Sequence, residues 1–119
     1  MKNTFVILLL ILVGCSSDVV NSSYANYEQA EADDLFKRGW LPSSIPKSSK
    51  NIKTKNNLDL NTSVGEFTID MKESNKFIAQ LKNTDKTDNS YNIYKYENGY
   101  TAWEFKINPK NGHVKYEIK

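Results

Sequence analysis

The stretch "YNIYKYENGYTAWEFKINPKNGHVKYEIK", residues 91–119, decides the fold because apolar and polar residues alternate along most of it. Such alternation is typical of half-buried β-strands. Asn98-Gly99 is a strong signal for a two-residue hairpin turn, and it predicts that Tyr96 lies opposite Thr101. A second turn is predicted from Pro109 to Gly112, so these residues form a three-stranded antiparallel meander.

The second turn leaves two registers open. A four-residue loop pairs Ile107 with Val114, whereas a two-residue turn pairs Ile107 with Tyr116, and both keep each side chain on the same face. The predicted inner face carries Tyr94, Tyr96, Trp103, Phe105, Ile107, Val114, Tyr116 and Ile118. The predicted outer face carries Lys95, Glu104, Lys106, Lys115 and Glu117.

The middle of the chain predicts two strands, a helix and a loop. Alternation in "GEFTI", residues 65–69, indicates a half-buried strand, and a weaker strand begins at Ile52. Asp70 followed by Glu73 has the spacing of a capping box and predicts a helix over "MKESNKFIAQLKN". The next segment, "NTDKTDNS", contains no apolar residue and is predicted to be a loop.

Residues 26–38, "NYEQAEADDLFKR", predict an N-terminal helix. Asn26 is followed three residues later by a glutamine, as in a capping box, and basic residues occupy the last turn. Gly39 stands where a glycine would end the helix.

The segment "GWLPSSIPKSSKN", residues 39–51, cannot continue that helix. Pro42 and Pro46 force the residues before them into extended conformations. We call this segment the strap, and we expect its apolar side chains to face inward: Trp40, Leu41 and Ile45. Together these elements predict an α+β fold: an N-terminal helix, the strap, and then β-β-α-β-β-β. Its sheet would be mostly antiparallel, with the helices on one face.

The strap and the turn after it resemble a group of small bacterial lipoproteins and gene-cassette proteins, some of which are called YbbD-head-like. The resemblance covers about residues 24–70 and rests on Gly39, Trp40, Leu41, Pro42, Ile45, Pro46, Ser48, Asn51, Ile52, Leu58, Asp59, Asn61 and Phe67. It implies a domain type and brings no established activity. This chain departs from the group at Ser49, where an alanine is frequent, and near Asn57, where a histidine is frequent.

The N-terminus predicts export and lipid anchoring. Lys2 precedes an apolar run of nine residues, "FVILLLILV", which suits a signal peptide and is too short to span a bilayer. "LVGC", Leu12 to Cys15, then resembles the bacterial lipobox, which implies cleavage after Gly14 and attachment of diacylglycerol and palmitate to Cys15. We therefore expect a signal peptide at 1–14, the lipidated cysteine and a polar tether at 15–25, and a single domain at 26–119.

Cysteine usage and charge support this division. Cys15 is the one cysteine of the chain, so no disulfide forms within the mature domain. Removing residues 1–14 leaves 15 basic and 14 acidic residues, which gives no case for nucleic acid as a partner. The expected location is the cell envelope, anchored to a membrane by lipid. Ser16 after the cysteine would direct the protein to the periplasmic side of the outer membrane if the source is Gram-negative.

Candidate catalytic and metal-binding residues are few. His113 is the one histidine and is predicted to point to the outer face, away from Trp103 and Tyr116, as a solvated strand residue. Asn57, Asp59 and Asn61 have the spacing of a calcium loop, but threonine stands where an EF-hand needs glycine and glutamate. We expect Asp59 and Asn61 to bond the local backbone, and we expect no metal and no cofactor.

The remaining polar and aromatic features define no site. The pair Asp33-Asp34 is expected to be a solvated helix face, although it could oppose strap lysines. Tyr91 and Tyr100 stay free for contact.

The expected function is a lipid-anchored, non-enzymatic binding module. The strap and the "LDLN" turn provide its candidate structural or interaction motif: Gly39, Trp40, Pro42, Pro46, Asp59 and Asn61. The alternative is an immunity or inhibitor lipoprotein directed against a secreted toxin or a cell-wall hydrolase. An envelope hydrolase would need a cleft with a polar cluster that the sequence does not indicate.

Overall fold

The computed structural model of the protein describes residues 18–119. Seven strands form one antiparallel sheet in the order β1-β2-β3-β7-β6-β5-β4. The strands are β1 (Val19–Asn26), β2 (Lys50–Asn57), β3 (Thr62–Thr68), β4 (Lys82–Asp88), β5 (Tyr91–Asn98), β6 (Thr101–Ile107) and β7 (His113–Ile118). Two short helices, α1 (Tyr27–Ala32) and α2 (Asn75–Ala79), and a 3₁₀ turn (Met71–Glu73) are the helical elements of these residues.

The predicted α+β fold with an N-terminal helix is wrong, because the described chain is mostly antiparallel sheet. The capping box at Asn26 forms as predicted: its side chain accepts a hydrogen bond from the Gln29 amide at 2.9 Å. However, α1 ends at Ala32, and Asp34 has a left-handed φ of 58° that breaks the helix. The chain then turns Leu35 into the core, where it is fully buried. Gly39, with φ 82°, therefore lies seven residues beyond the end of this helix.

Two strands occupy segments in which the sequence predicted no strand. Residues 19–25, expected to be tether, form most of β1 and pair with β2 over its whole length. The expected loop 83–90 forms most of β4, and the helix expected over 71–83 is reduced to the 3₁₀ turn and α2. β1 and β4 are the two edges of the sheet. Edge strands of this kind are hard to recognise because polar side chains are tolerated on both of their faces.

The edge strand β4 is charged and irregular. Its sequence, "KNTDKTD", carries two lysines and two aspartates, and nearly all of its residues are exposed. The register with β5 shifts between Asn83 and Lys86, and Asp85 within the shift has a φ of 60°. Lys106 of β6 forms an exposed ion pair of 2.9 Å with Asp88 at the end of the strand.

The C-terminal meander forms as predicted, with a correction to its first hairpin. Asn98 pairs with Thr101 and Tyr96 pairs with Trp103, so the two turn residues are Gly99 and Tyr100. The register is thus two residues away from the predicted one, and a shift of two keeps every side chain on its face.

The second turn confirms the four-residue loop, because Ile107 pairs with Val114. The predicted inner face is confirmed. Its central residues are buried, and Tyr94, Tyr96 and Ile118 pack against them while partly exposed.

The core lies between the inner face of the sheet and the strap. Trp40, Leu41 and Ile45 are buried, as predicted, and the Trp40 carbonyl oxygen accepts a hydrogen bond of 3.0 Å from Nε1 of Trp103. Phe105 lies at the centre and makes edge-to-face contacts with two other rings, those of Phe67 at 6.4 Å and Phe77 at 5.4 Å. The strap therefore contributes side chains to the same core as the meander.

A polar chain is buried within the same face, toward β1. Ser63 donates its hydroxyl hydrogen to Oδ1 of Asn56 at 2.6 Å, and its oxygen lies 2.8 Å from the hydroxyl of Tyr116. A serine hydroxyl has a single hydrogen, so Tyr116 is the donor of the second bond. Burial raises the pKa of Tyr116 to about 12.

Candidate functional site

The predicted lipidation site lies outside the described residues. Gly14 and Cys15 precede Asp18, the first residue that the structure describes. Signal cleavage and lipid attachment at these positions therefore stay predictions. Among residues 18–119, no helix is long and apolar enough to cross a membrane.

The strap half of the predicted motif is largely architectural. Trp40, Pro42 and Pro46 are buried beneath or within the strap, whereas Gly39 is exposed. Ser49 is also fully buried, and its hydroxyl bonds the Pro46 carbonyl at 2.5 Å while its own carbonyl accepts from the Tyr27 amide at 3.1 Å. These contacts fix the strap to α1. Its buried side chains are not available to a partner in this conformation.

The other half of the motif is an exposed hairpin loop between β2 and β3. Asp59 and Asn61 are exposed, and the backbone bonds that we expected of them are made by Asn57 instead. Oδ1 of Asn57 accepts from the amides of Asp59 and Leu60 at 3.1 and 3.0 Å, which is the geometry of an Asx turn. In residues 18–119 no group of three or more metal-ligating side chains comes together.

This loop lies at the end of the sheet where β1 begins, which we call the basal end. It comprises Asp18, the β2–β3 loop (58–61), the β5–β6 turn (99–100) and the C-terminal residues 118–119. The Leu58 amide bonds the Asp18 carbonyl at 2.9 Å, so the loop is tied to the start of β1. Asn61, Gly39 and Tyr100 border one shallow depression of about 230 Å³. The large side chains of Leu58, Leu60 and Tyr100 are exposed there.

A second cluster lies on the outer face, near the opposite end of the sheet. His113 at the start of β7 is 2.7 Å from the hydroxyl of Tyr91 through Nδ1 and 2.8 Å from Oε1 of Glu66 through Nε2. A carboxylate can only accept, so Nε2 donates to Glu66, and in the neutral ring Nδ1 accepts from Tyr91. The Lys115 ammonium lies 4.7 Å from the centre of the Tyr91 ring.

The electrostatics of this cluster favour an ionised Glu66. The hydrogen bond from His113 lowers the pKa of the Glu66 carboxyl, opposed by partial desolvation, with smaller contributions from nearby positive charges. Both ring nitrogens of His113 are hydrogen-bonded, one to Tyr91 and one to Glu66, so neither is free to activate a nucleophile. A general base needs a lone pair directed at a substrate proton, whereas the lone pair of Nδ1 in the neutral ring is directed at the Tyr91 hydroxyl.

A shallow groove of about 360 Å³ adjoins the cluster on the outer face. It is lined by Val64, Gly65, Glu66, Glu104, Lys106, Lys115, Tyr116 and Glu117. The groove carries charges of both signs and is open to solvent. Such a surface can bind a polar partner, whereas catalysis usually requires a site from which water is excluded.

The sequence predicted one member of this cluster and missed its partners. His113 lies on the outer face, as predicted, but it is bonded on both sides and is not merely a solvated residue. Alternation placed Glu66 on the outer face of its strand, yet nothing in the sequence showed that β3 pairs with β7. Tyr91 was expected to stay free and is instead a hydrogen-bond partner.

The domain is an antiparallel sheet whose inner face is covered by the strap and whose polar outer face is open to solvent. Residues 18–68, which include β1, α1, the strap, β2 and β3, match the family model of the YbbD head domain. This segment is therefore YbbD-head-like, which confirms the resemblance seen in the sequence. No curated protein sequence and no solved structure is significantly similar to the chain.

Proposed function

We propose that the protein is a lipid-anchored envelope protein that acts as a non-enzymatic binding module. The observation that carries the proposal is the lipobox Leu12 to Cys15, which ends four residues before β1 begins at Val19. The YbbD head match supports an envelope-type protein. The anchor would hold the sheet at the membrane, with its outer face open to a partner.

The outer face of β3, β7 and β6 is the surface we assign to this partner. The inner face is filled by the strap and α2, so its side chains are committed to the core. The groove presents three glutamates and two lysines, a mixture that suits a polar protein surface better than a polyanion. The cluster of His113, Glu66 and Tyr91 adds fixed donors and acceptors beside it.

Lipid attachment is tested by the variant Cys15→Ala. We expect the parent protein to enter the detergent phase and to yield an N-terminal peptide that begins at Cys15 and carries the mass of a diacylglycerol. Cys15→Ala should carry no diacylglycerol mass and should retain an uncleaved signal peptide. Ser17→Ala is the matched control and should behave as the parent. A mature N-terminus without lipid in the parent protein contradicts the anchoring.

The binding surface is tested by site-specific photo-crosslinking in living cells. A photoreactive residue at Lys115, on the outer face, is compared with one at Lys47, which is exposed on the strap. We expect a discrete crosslinked species from position 115 and not from position 47. A secreted toxin or cell-wall hydrolase captured at 115 would move the role to immunity or inhibition. Equal crosslinking from the two positions contradicts the assignment of the outer face.

A further inference from the structure

We infer that the β2–β3 loop is a second membrane contact, in which Leu58 and Leu60 lie in the interfacial layer of the lipid bilayer. The inference rests on the proposed attachment of lipid to Cys15 and adds a site to it. The occupant of the apolar tip is a lipid surface.

Two leucines are exposed at the tip of the β2–β3 loop. Leu58 is 56% exposed and Leu60 is 67% exposed, although both belong to a loop of four residues. The Asx turn of Asn57 holds the loop backbone, so the side chains are presented outward by a fixed turn. Apolar side chains grouped on an exposed surface mark contact sites with a partner or a membrane.

The β2–β3 loop lies close to the proposed lipid anchor at Cys15. Two residues, Ser16 and Ser17, lie between Cys15 and Asp18, so three Cα–Cα steps join them and span at most about 11 Å even when fully extended. The Asp18 carbonyl oxygen is 2.9 Å from the Leu58 amide nitrogen, so the loop backbone adjoins the point where the chain leaves the anchor. Interfacial segments bury their apolar groups about 5 to 10 Å deep in the headgroup region, which is comparable with this reach.

The basal end around the loop also carries an exposed aromatic residue and mixed charges. Tyr100, at the β5–β6 turn, is fully exposed and borders the same depression as Asn61. Tyrosine is enriched at membrane interfaces, where its ring is buried and its hydroxyl stays hydrated. The charges around the loop are mixed, with Asp59 at the tip and Lys119 beside Tyr100. Contact should therefore depend on apolar insertion and only weakly on anionic lipid.

The experiment labels the loop of the mature, lipidated protein, residues 15–119, in vesicles of phosphatidylethanolamine and phosphatidylglycerol. Cys15 is the one natural cysteine and would carry the lipid, so a cysteine introduced by Leu60→Cys is the one free thiol. An environment-sensitive NBD probe is attached there, and quenching by a nitroxide on the fifth acyl carbon is measured. Lys110→Cys is the control, because this exposed residue lies in the β6–β7 loop at the opposite end of the sheet.

We expect blue-shifted emission from position 60 and quenching at least about twofold greater than at position 110. Leu58→Cys should give the same result. Both leucines are exposed, so these variants should fold as the parent does.

Three outcomes overturn the inference. Equal quenching at positions 60 and 110, with lipid on Cys15 verified by mass, removes the loop contact and leaves the anchor intact. A blue shift that grows with the protein-to-lipid ratio, without nitroxide quenching, assigns the tip to a second copy of the chain. Protein that stays in solution and carries no lipid on Cys15 refutes the proposed anchoring, and the loop contact with it.

Discussion

The inner and outer faces of the sheet are built from the same alternating strands but are stabilised in different ways. The inner face brings together side chains that are far apart in sequence, as Trp40 and Trp103 illustrate, and most of them are buried. The outer face carries ion pairs and hydrogen bonds among half-exposed groups such as Glu66 and His113. Burial removes much apolar area from water, whereas exposed ion pairs gain little. The stability of the protein should therefore depend mainly on the inner face.

The largest effect is expected for Trp40→Ala. Truncating a buried tryptophan removes apolar burial and leaves a cavity, so we expect the free energy of unfolding to fall by about 3 to 5 kcal/mol. Chemical denaturation followed by circular dichroism measures the change. Tyr100→Ala is the matched control, because this aromatic residue is fully exposed, and its change should stay within about 0.5 kcal/mol. Equal losses in the two variants would break the contrast between buried and exposed aromatic residues.

The next effect is expected for Gly112→Ala. Gly112 has a φ of 74°, and a β-carbon there would lie 2.0 Å from the carbonyl oxygen of Ile69, the residue that follows β3, so either that residue or the β6–β7 loop must move. We expect a loss of about 2 to 4 kcal/mol, measured by thermal and chemical unfolding.

Gly99→Ala separates the clash from the backbone strain. Gly99 has a similar φ of 63°, but its added β-carbon would meet nothing within 4 Å. Its loss should be about 1 to 2 kcal/mol, from backbone conformation alone. A loss as large as that of Gly112→Ala would place the cost in the φ angle and not in the clash with the Ile69 backbone.

The third prediction concerns alkaline pH. The folded-state pKa of Tyr116 is raised to about 12 from an ordinary value of 10.0, so the unfolded state loses this proton first. Stability should therefore fall as the pH rises from about 10 towards 12, by about 2 kcal/mol from this residue. Unfolding of the parent and of Tyr116→Phe is compared across that range. A slope that is identical in the two proteins contradicts the prediction, and Tyr100→Phe serves as an exposed control.

The smallest effect is expected at the outer-face cluster. The hydrogen bond from His113 lowers the pKa of Glu66, so its stabilising effect is present above the ordinary value of 4.5 and is lost as the pH falls through the lowered value. Glu66 is about half exposed, and Glu66→Gln should change stability by less than about 1 kcal/mol.

The pKa itself gives the sharper measurement. His113→Gln should return the Glu66 pKa towards its ordinary value in an NMR titration, because the largest cause of the shift is removed. Lys106→Gln is the control, since Lys106 pairs with Asp88 and not with Glu66. An unchanged Glu66 pKa in His113→Gln would mean that the pair is not formed in solution.

The structure was predicted correctly from the sequence where the residues that determine a feature are close together along the chain. The alternation around Trp103, Phe105 and Ile107 assigned the faces correctly, and even the error of two residues in the first hairpin preserved them. The inward direction of Trp40 followed from the composition of the strap, in which Trp40, Leu41 and Ile45 are the apolar side chains expected to face inward.

The failures concern residues whose conformation depends on distant partners. β1 and β4 were missed because their strand conformation comes from pairing with β2 and β5, not from an apolar pattern of their own. The first helix was predicted too long because the basic pair Lys37-Arg38 and Gly39 after it indicated an end at residue 38, beyond Asp33. In the structure, that side chain accepts a 2.6 Å bond from Tyr24 on β1. The Glu66–His113 contact required the β3–β7 pairing, which is also non-local.

The irregular and charged edge strand β4 affects whether copies of the protein associate when they are crowded together. Molecules held on a membrane, where the proposal places this chain, meet one another in two dimensions and at high local density. A flat exposed edge would then offer its backbone amides and carbonyls to the next copy, and strands could add without limit. The register shift beside Asp85 and the two lysines of β4 interrupt that template. The sheet can therefore remain open at this edge without becoming a seed for fibres.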